Sequence, residues 1–416
     1  RGNMKHTVFV LSAVMGLGLG VASAQDFPSK DIQGVIQWGA GGSTGDVARA
    51  LWRRRARGHS PELVSVVVGQ ARLRTRARDK FGDVAERMLF TRAGLEQATR
   101  LSIAVRHADR FRQAGLTRVA DLGCGIGGDA LGLAGLGLEV LAVEADEVTA
   151  ALAAYNLAPF GEDVVVRHAT AEECDLRTVD AVWLDPARRT EGHHDTKRLA
   201  DPADFTPRLD WTFELTSRLP GGVKLGPGMH RELIPAGTEA QWITVGTTTI
   251  ELVIWTGILA RPGVGRAAVV VRGAEWHELT ASGAADNAPT RPLGAFVHEP
   301  AGSVIRAQLI GKVAEGVDAG MLDPDIAYLT GDAAVTSPFV ATFRVREELP
   351  FDTRRLGAAL RERGIGTLEI KKRGVDIDPA QLRTQLKLRG KDSATLILTR
   401  IGTTRTAILA DRVGAA

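Results

Sequence analysis

Between Leu122 and Asp129 the chain reads Leu-Gly-Cys-Gly-Ile-Gly-Gly-Asp, directly after the short strand-like run Arg118-Val119-Ala120-Asp121. Glycine therefore occupies alternate positions 123, 125 and 127. There a side chain would block a ligand lying against the main chain or forbid the positive φ angles of a tight turn. A buried strand ending in such a turn, with a helix expected from Ala130 onward, is the opening of an α/β unit whose helix N-terminus offers amides to a nucleotide-like ligand.

The same glycines spell Gly-x-Gly-x-x-Gly through Gly123, Gly125 and Gly128, which alone suits a nicotinamide or flavin dinucleotide. Two features favour S-adenosylmethionine: Asp121, two residues ahead of the first glycine and able to face a cationic amino-acid group, and Asp185-Pro186 further on. Between them the pattern alternates, with an apolar run Leu138 to Val143 ending at Glu144, a helical stretch Val148 to Leu157, a third strand Val164 to Arg167 and a fourth Asp180 to Leu184. Glu144 lies roughly twenty residues beyond the glycines, where a βαβ unit presents an acid to both ribose hydroxyls. Open parallel sheets bind ligands at the carboxyl ends of their strands.

Together these residues resemble the class I S-adenosylmethionine-dependent methyltransferases, which carry this glycine loop, the acid after the second strand and a catalytic segment after the fourth. The resemblance implies an α/β fold with a Rossmann-like sheet and S-adenosyl-L-methionine as cofactor. Its contacts would be Asp121, Gly123, Gly125, Gly127 and Glu144, with Asp185 and the carbonyl of Pro186 accepting hydrogen bonds from an exocyclic amine. Base-methylating branches of the family end this strand in Asp-Pro-Pro and an aromatic ring that stacks on the base, whereas this chain has Asp185-Pro186-Ala187-Arg188-Arg189. Arg188 is then the candidate to lie flat on a base. After the third strand the family often places an acid for the adenine amine; here His168-Ala169-Thr170-Ala171-Glu172 stands, and Thr170 is expected near the adenine.

The stretch from about Leu51 to Val413 also resembles a narrower group, bacterial methyltransferases with a THUMP-like C-terminal domain, distantly related to trimethylguanosine synthases. Met88-Leu89-Phe90-Thr91, Gly94-Leu95-Glu96-Gln97-Ala98-Thr99, Asp185 to Arg189 and Leu368-Glu369-Ile370-Lys371-Lys372-Arg373-Gly374 carry the likeness. It implies an RNA-directed enzyme, because THUMP domains grip structured RNA. The chain as a whole is nearly balanced, 52 basic against 49 acidic residues, so local surplus decides; Arg354 to Arg400 holds twelve Lys or Arg and five Asp or Glu. Lys371, Lys372, Arg373, Lys387 and Arg389 are the candidate phosphate contacts. The competing reading makes them solvated faces of amphipathic elements. Aromatic residues are scarce there, which favours a shape or phosphate grip over base stacking.

The first fifty residues follow a different pattern. Met4-Lys5-His6, an apolar Thr7 to Val21 and Ala22-Ser23-Ala24 have the form of a secretory signal, too short for a comfortable membrane span. Phe27 to Ile32, Gly41-Gly42-Ser43-Thr44 and Val47-Ala48-Arg49 resemble the opening of periplasmic solute receptors of the tripartite tricarboxylate transporter family, and the likeness stops near Ala50. We read this start as a fusion onto a methyltransferase and expect the active protein in the cytoplasm, where its cofactor is made, with no membrane-bound form. Only two cysteines occur, Cys124 and Cys174, which argues against a disulfide-built secreted protein.

With 416 residues, 44% apolar and 24% charged, the chain suits two folded units. The expected order is a signal-like segment 1–24, a receptor-like segment 25–50, a helical segment 51–115, a methyltransferase domain 116–283 and a smaller α+β THUMP-like domain 293–416, joined by the polar linker Ala284 to Pro292. Gly222 to Gly228 reads as the fifth strand with its turn and Thr249 to Trp255 as a later antiparallel strand. Arg188 to Thr206, rich in turn formers, reads as a loop over the substrate; its His193-His194-Asp195 has no complementary ligand cluster, so no metal is expected. Three functions compete. First stands an RNA methyltransferase; second, a catalytically inactive RNA-binding protein retaining a cofactor pocket, which the altered Asp-Pro-Ala-Arg favours; last, a fragment of a periplasmic carboxylate-binding receptor.

Overall fold

A computed structural model describes residues 61–188 and 204–414. The signal-like and receptor-like segments, Trp52 to Arg57, Arg189, His193 to Asp195 and Asp201 lie outside the described residues. The chain divides into two compact units: one takes the residues up to Leu225 together with Ile254–Ala260, the other Gly226–Val253 together with the residues from Arg261 on.

Among the described residues, the first of the helices in the first unit are α1 (Pro61–Phe81), α2 (Arg92–Gln97) and α3 (Leu101–Gln113). In α3 the buried residues Ile103, Ala104, His107, Ala108 and Phe111 recur at helical spacing and form one face. Helix α2 is fixed at both ends. The Thr91 side chain accepts the Gly94 amide at its start, and the Lys80 ammonium donates to the carbonyls of Leu95, Glu96 and Ala98 at 2.8, 2.7 and 2.8 Å, supplying donors to carbonyls left over at a helix C-terminus.

Next come β1 (Arg118–Leu122), α4 (Gly128–Gly135), β2 (Glu139–Glu144), α5 (Glu147–Leu157), β3 (Val164–His168), β4 (Ala181–Leu184), the short antiparallel pair β5 (Ala187–Arg188) and β6 (Phe205–Thr206), α6 (Leu209–Arg218) and β7 (Gly221–Leu225). Their order in the sheet is β7-β4-β1-β2-β3, and all four neighbouring pairs are parallel. The chain steps from β1 to β2 and β3 on one side, then returns to place β4 and β7 on the other. Connections leaving β1 and β4 therefore diverge, and the crevice between them is the topological switch point at which open α/β sheets bind ligands.

Every residue of α4 is buried, because α3 lies directly on it. A Cβ at Gly132 would stand 2.6 Å from the carbonyl carbon of Ala104 and 2.7 Å from its oxygen. Gly132→Val must push the helices apart, a loss of about 3 kcal/mol. Denaturant unfolding that returns wild-type stability for this variant would contradict the packing.

The second unit contains β8 (Glu239–Val245), the first six residues of β9 (Thr248–Trp255), β10 (Arg266–Arg272) and β11 (Glu275–Ala281) in the order β11-β10-β8-β9. Strands β10 and β11 form an antiparallel hairpin, and β8 runs parallel to β10. Strand β8 has no counterpart in the sequence reading, because Glu239 and Gln241 make it look polar. Both are buried and satisfied from a distance: Glu239 accepts from Arg261 at 2.6 Å, and Gln241 donates to Glu278 at 2.7 Å.

The rest of this unit is a seven-stranded sheet built from β12 (Phe296–Pro300), β13 (Gly320–Asp323), β14 (Ile326–Gly331), β15 (Val340–Leu349), β16 (Ile365–Lys372), β17 (Asp392–Ile401) and β18 (Thr404–Arg412), in the order β13-β14-β12-β15-β18-β17-β16. Helices Thr353–Glu362 and Pro379–Leu386, capped by Asp352 and Asp378, cover one face through Leu356, Leu360, Leu382 and Leu386 against Leu368, Leu396, Leu398 and Leu409. The linker segment forms no helix and only an isolated bridge at Thr290, but it is tied to the same unit: Ala285 N donates to Gln308 O, and Pro289 and Arg291 exchange bonds with Met321. Both cysteines are free thiols, and among the described residues no helix is long and apolar enough to cross a membrane.

Candidate active site

The glycine turn after β1 is held by β2. The amides of Gly123 and Cys124 both donate to Val143 O at 2.9 Å. Glu144 is the next residue, and its Oε2 accepts the Gly125 amide at 2.9 Å while Oε1 accepts the Asp146 amide at 2.9 Å. Gly123, Gly125 and Gly127 have φ of +89°, +56° and +88°, so the left-handed region demands glycine at each. Their surroundings differ. A Cβ on Gly123 would lie 3.3 Å from Asp185 O and one on Gly127 3.1 Å from Leu157, whereas nothing stands within 4 Å of one on Gly125.

That contact brings Asp185 to the glycine loop. Its side chain is 37% exposed, and Lys224 Nζ lies 2.7 Å from Oδ2. Pro186 is buried, and the main chain of Arg188 pairs with Phe205. Helix α5 contributes Asn156, which accepts the Leu89 amide and donates to the carbonyls of Leu89 and Ile126. The Met88–Thr99 block thereby supports the loop from behind, and Gly94 is glycine because a Cβ there would stand 2.6 Å from Ile126.

Asp121 is buried in β1, and neither carboxylate oxygen has a hydrogen-bond partner among the described residues. Burial, then the like charges of Asp129 and Asp185, hold its carboxyl well above the ordinary range. Asp129, in the first turn of α4, is the opposite case. It accepts from Thr99 Oγ1 at 2.7 Å, meets His107 Nδ1 at 3.1 Å and lies 3.7 Å from Lys224 Nζ. Burial opposes its ionisation, but Lys224 and the bonds from His107 and Thr99 outweigh that and bring its carboxyl down to about 2. Sequence reasoning missed Lys224, Asp129, Thr99 and His107. The available signal was a lysine in Gly-Gly-Val-Lys-Leu, a strand buried at every position.

Thr170 is exposed and caps the short turn Ala171–Glu173, its hydroxyl donating to Glu173 at 2.8 Å. The turn sits beside Glu144 through Ala169 N to Glu144 O at 3.1 Å, but the hydroxyl is engaged locally. The five basic candidates separate into two sets. Lys371 pairs with Glu299 at 2.9 Å, and Arg373 pairs with Glu299 at 3.3 Å and lies over the Tyr328 ring, so both charges are compensated. Lys372, Lys387 and Arg389 are exposed and form no ion pair among the described residues, as does Lys391.

A run of parallel strands with a glycine turn, an acid on the adjacent strand tip and an Asp-Pro at the switch point suits a nucleoside-bearing cofactor. Two uncharacterised S-adenosylmethionine-dependent methyltransferases of Mycobacterium tuberculosis, from strains CDC 1551 / Oshkosh and H37Rv, are each 33% identical over 359 residues, 84% of this chain and 95% of theirs. A crystal structure from Porphyromonas gingivalis W83, provisionally assigned as a methyltransferase, superposes with a TM-score of 0.70 at 22% identity, over 93% of this chain and 99% of that one. The family described as THUMP domain-like matches residues 340–412. The chain belongs to the S-adenosylmethionine-dependent methyltransferases and carries a THUMP-like domain at its C-terminus.

The residues present fit that cofactor. The unpartnered carboxylate of Asp121 suits an ammonium, the space beside Gly125 suits a ligand on bare main chain, and each Glu144 oxygen, holding one amide, can accept a further bond. A raised carboxyl contributes stability that is present below the unfolded-chain pKa and lost as pH rises. Asp121→Asn should therefore raise the melting temperature of the ligand-free protein at neutral pH while weakening S-adenosylhomocysteine binding. Melting curves and calorimetry check both; a variant that melts below wild type at neutral pH contradicts the first.

Proposed function

We propose that this enzyme methylates an amine or base nitrogen of RNA, with the catalytic domain over 116–283 and the THUMP-like domain over 293–416, and that it acts in the cytoplasm. The reading is carried by one observation: the glycine turn touches Glu144 on one side and Asp185 on the other, so cofactor contacts and acceptor contacts share one crevice. S-adenosylmethionine supplies an electrophilic methyl when bound. Asp121 holds the methionyl ammonium, Glu144 the ribose hydroxyls, and Thr170 lies at the adenine end. Asp185 and the carbonyl of Pro186 accept the N–H bonds of the acceptor amine and turn its lone pair toward the methyl, while Arg188 stacks on the base. Little covalent chemistry is asked of the protein; orientation and exclusion of water provide the rate.

Lys372, Lys387 and Arg389 support RNA as the partner, because phosphate binding requires uncompensated positive charge on one surface. Labelled-methyl transfer to total cellular RNA by the full chain tests the reading. Transfer that falls when these three residues are changed to glutamate supports it. Transfer to protein or small molecules alone overturns the RNA assignment. Cofactor binding without any transfer favours the inactive RNA-binding protein, which the missing aromatic after Asp185-Pro186 recommends.

A further inference from the structure

Lys224 stands in β7, where every residue from Gly221 to Leu225 is buried. An ammonium in such a strand is costly unless its charge and donors are met. Among the described residues the ammonium faces three oxygens from three different elements: Asp185 Oδ2 at 2.7 Å after β4, Thr99 Oγ1 at 2.8 Å before α3, and Asp129 Oδ2 at 3.7 Å in α4. These partners are not equivalent. Thr99 and Asp129 are themselves buried, bonded to each other at 2.7 Å, and Asp129 is held again by His107, whose ring lies 4.5 Å from that of Trp183 of β4, tilted by 30°. Asp185, at 37% exposed, is the member of the group that reaches the crevice.

We propose that Lys224 is a positioning residue for methyl transfer: anchored by Thr99 and Asp129, its ammonium fixes the Asp185 carboxylate in orientation and in its ionised form beside the glycine loop. The inference rests on the reading of Asp185 as the acceptor of the substrate amine. The charged groups around Asp185 show why an anchor is needed. Asp121 from β1 and Asp185 are like charges that act on each other, and Asp129 from α4 shares the same ammonium; the cation of β7 offsets this local surplus of carboxylates. A purely structural lysine would register in stability instead, since removing one partner of a buried ion pair leaves the other charge uncompensated and is strongly destabilising, whereas a positioning lysine also governs the transfer rate of variants that still fold.

The test uses the full chain and two readouts. In the cofactor-free protein, ¹³C-carboxylate NMR follows the Asp185 resonance, assigned by its loss in Asp185→Asn. Lys224→Met should make Asp185 take up its proton at higher pH than in wild type, and Lys224→Arg should restore the wild-type curve. In labelled-methyl transfer to total cellular RNA, Lys224→Met should be slower by about a hundredfold, the loss expected of a displaced reacting contact, with S-adenosylhomocysteine still bound, and Lys224→Arg should recover most of the rate. Thr99→Val, which loosens the anchor and leaves the charge, covers the case in which Lys224→Met does not fold, and should slow transfer by roughly tenfold, the equivalent of one hydrogen bond. Coincident titration curves for wild type and Lys224→Met, or wild-type transfer by a folded Lys224→Met or Thr99→Val, overturn the inference. Separated curves with no wild-type transfer to RNA leave it standing and remove the RNA reading instead.

Discussion

Asp185→Ala is expected to abolish methyl transfer while S-adenosylhomocysteine continues to bind with nearly unchanged affinity. Asp185 follows β4 at the switch point, and its main-chain carbonyl borders Gly123, so truncating the side chain removes the group we assign to the substrate amine without altering the backbone beside the glycine loop. The rate loss should be at least about a hundredfold, the scale associated with misplacing a reacting group. Asp185→Asn separates geometry from charge, because the amide oxygen still accepts a hydrogen bond but no longer pairs with Lys224; it should retain part of the rate lost in the alanine variant. Calorimetry and labelled-methyl transfer on the same preparations decide the matter, and unchanged turnover in Asp185→Ala removes the residue from the site.

Gly125→Val should have the reverse signature, a folded protein that has lost its cofactor. At φ +56° a β-branched residue is strained by about 1–2 kcal/mol, yet no protein atom stands within 4 Å of the new Cβ, so the fold tolerates it. The side chain instead enters the space beside the amide that Glu144 accepts, where the cofactor's sugar would lie. Gly123→Val provides the contrast, since its Cβ meets the Asp185 carbonyl at 3.3 Å and should lower stability as well as binding. Melting temperature and S-adenosylhomocysteine affinity measured for both variants separate the effects. Wild-type affinity in Gly125→Val would mean that the loop faces something other than the cofactor.

Much of this arrangement is legible along the chain because it is local. Strand β1, its turn and α4 are consecutive, and the acid at the tip of β2 follows from the length of one βαβ unit, so the placing of Asp121, Gly123, Gly125, Gly127 and Glu144 at the ends of two neighbouring strands can be read from spacing. Asp185 is legible as the end of a fourth apolar strand. The reading fails where a polar residue is satisfied from far away. Strand β8 looks too polar to be buried until Arg261 and Glu278 are seen to meet Glu239 and Gln241. Lys371 and Arg373 look like part of a phosphate-binding run until Glu299 is found between them, while Lys372 next to them points to solvent because strand side chains alternate faces.

The sequence by itself determined where the chain must turn, since positive φ at alternate positions leaves glycine as the unstrained choice, and it determined which acids stand at strand tips, since strand and helix lengths are set by apolar periodicity. Only the tertiary structure decided which charges are spent on one another. The return of the chain across β1 sets β4 beside it and β7 beside β4, and α3 descends onto α4 through Gly132; that closure, and no spacing in the sequence, brings Lys224, Thr99, Asp129 and Asp185 within bonding distance. Electrostatic partnership depends on distance in space, and distance in space is set by packing.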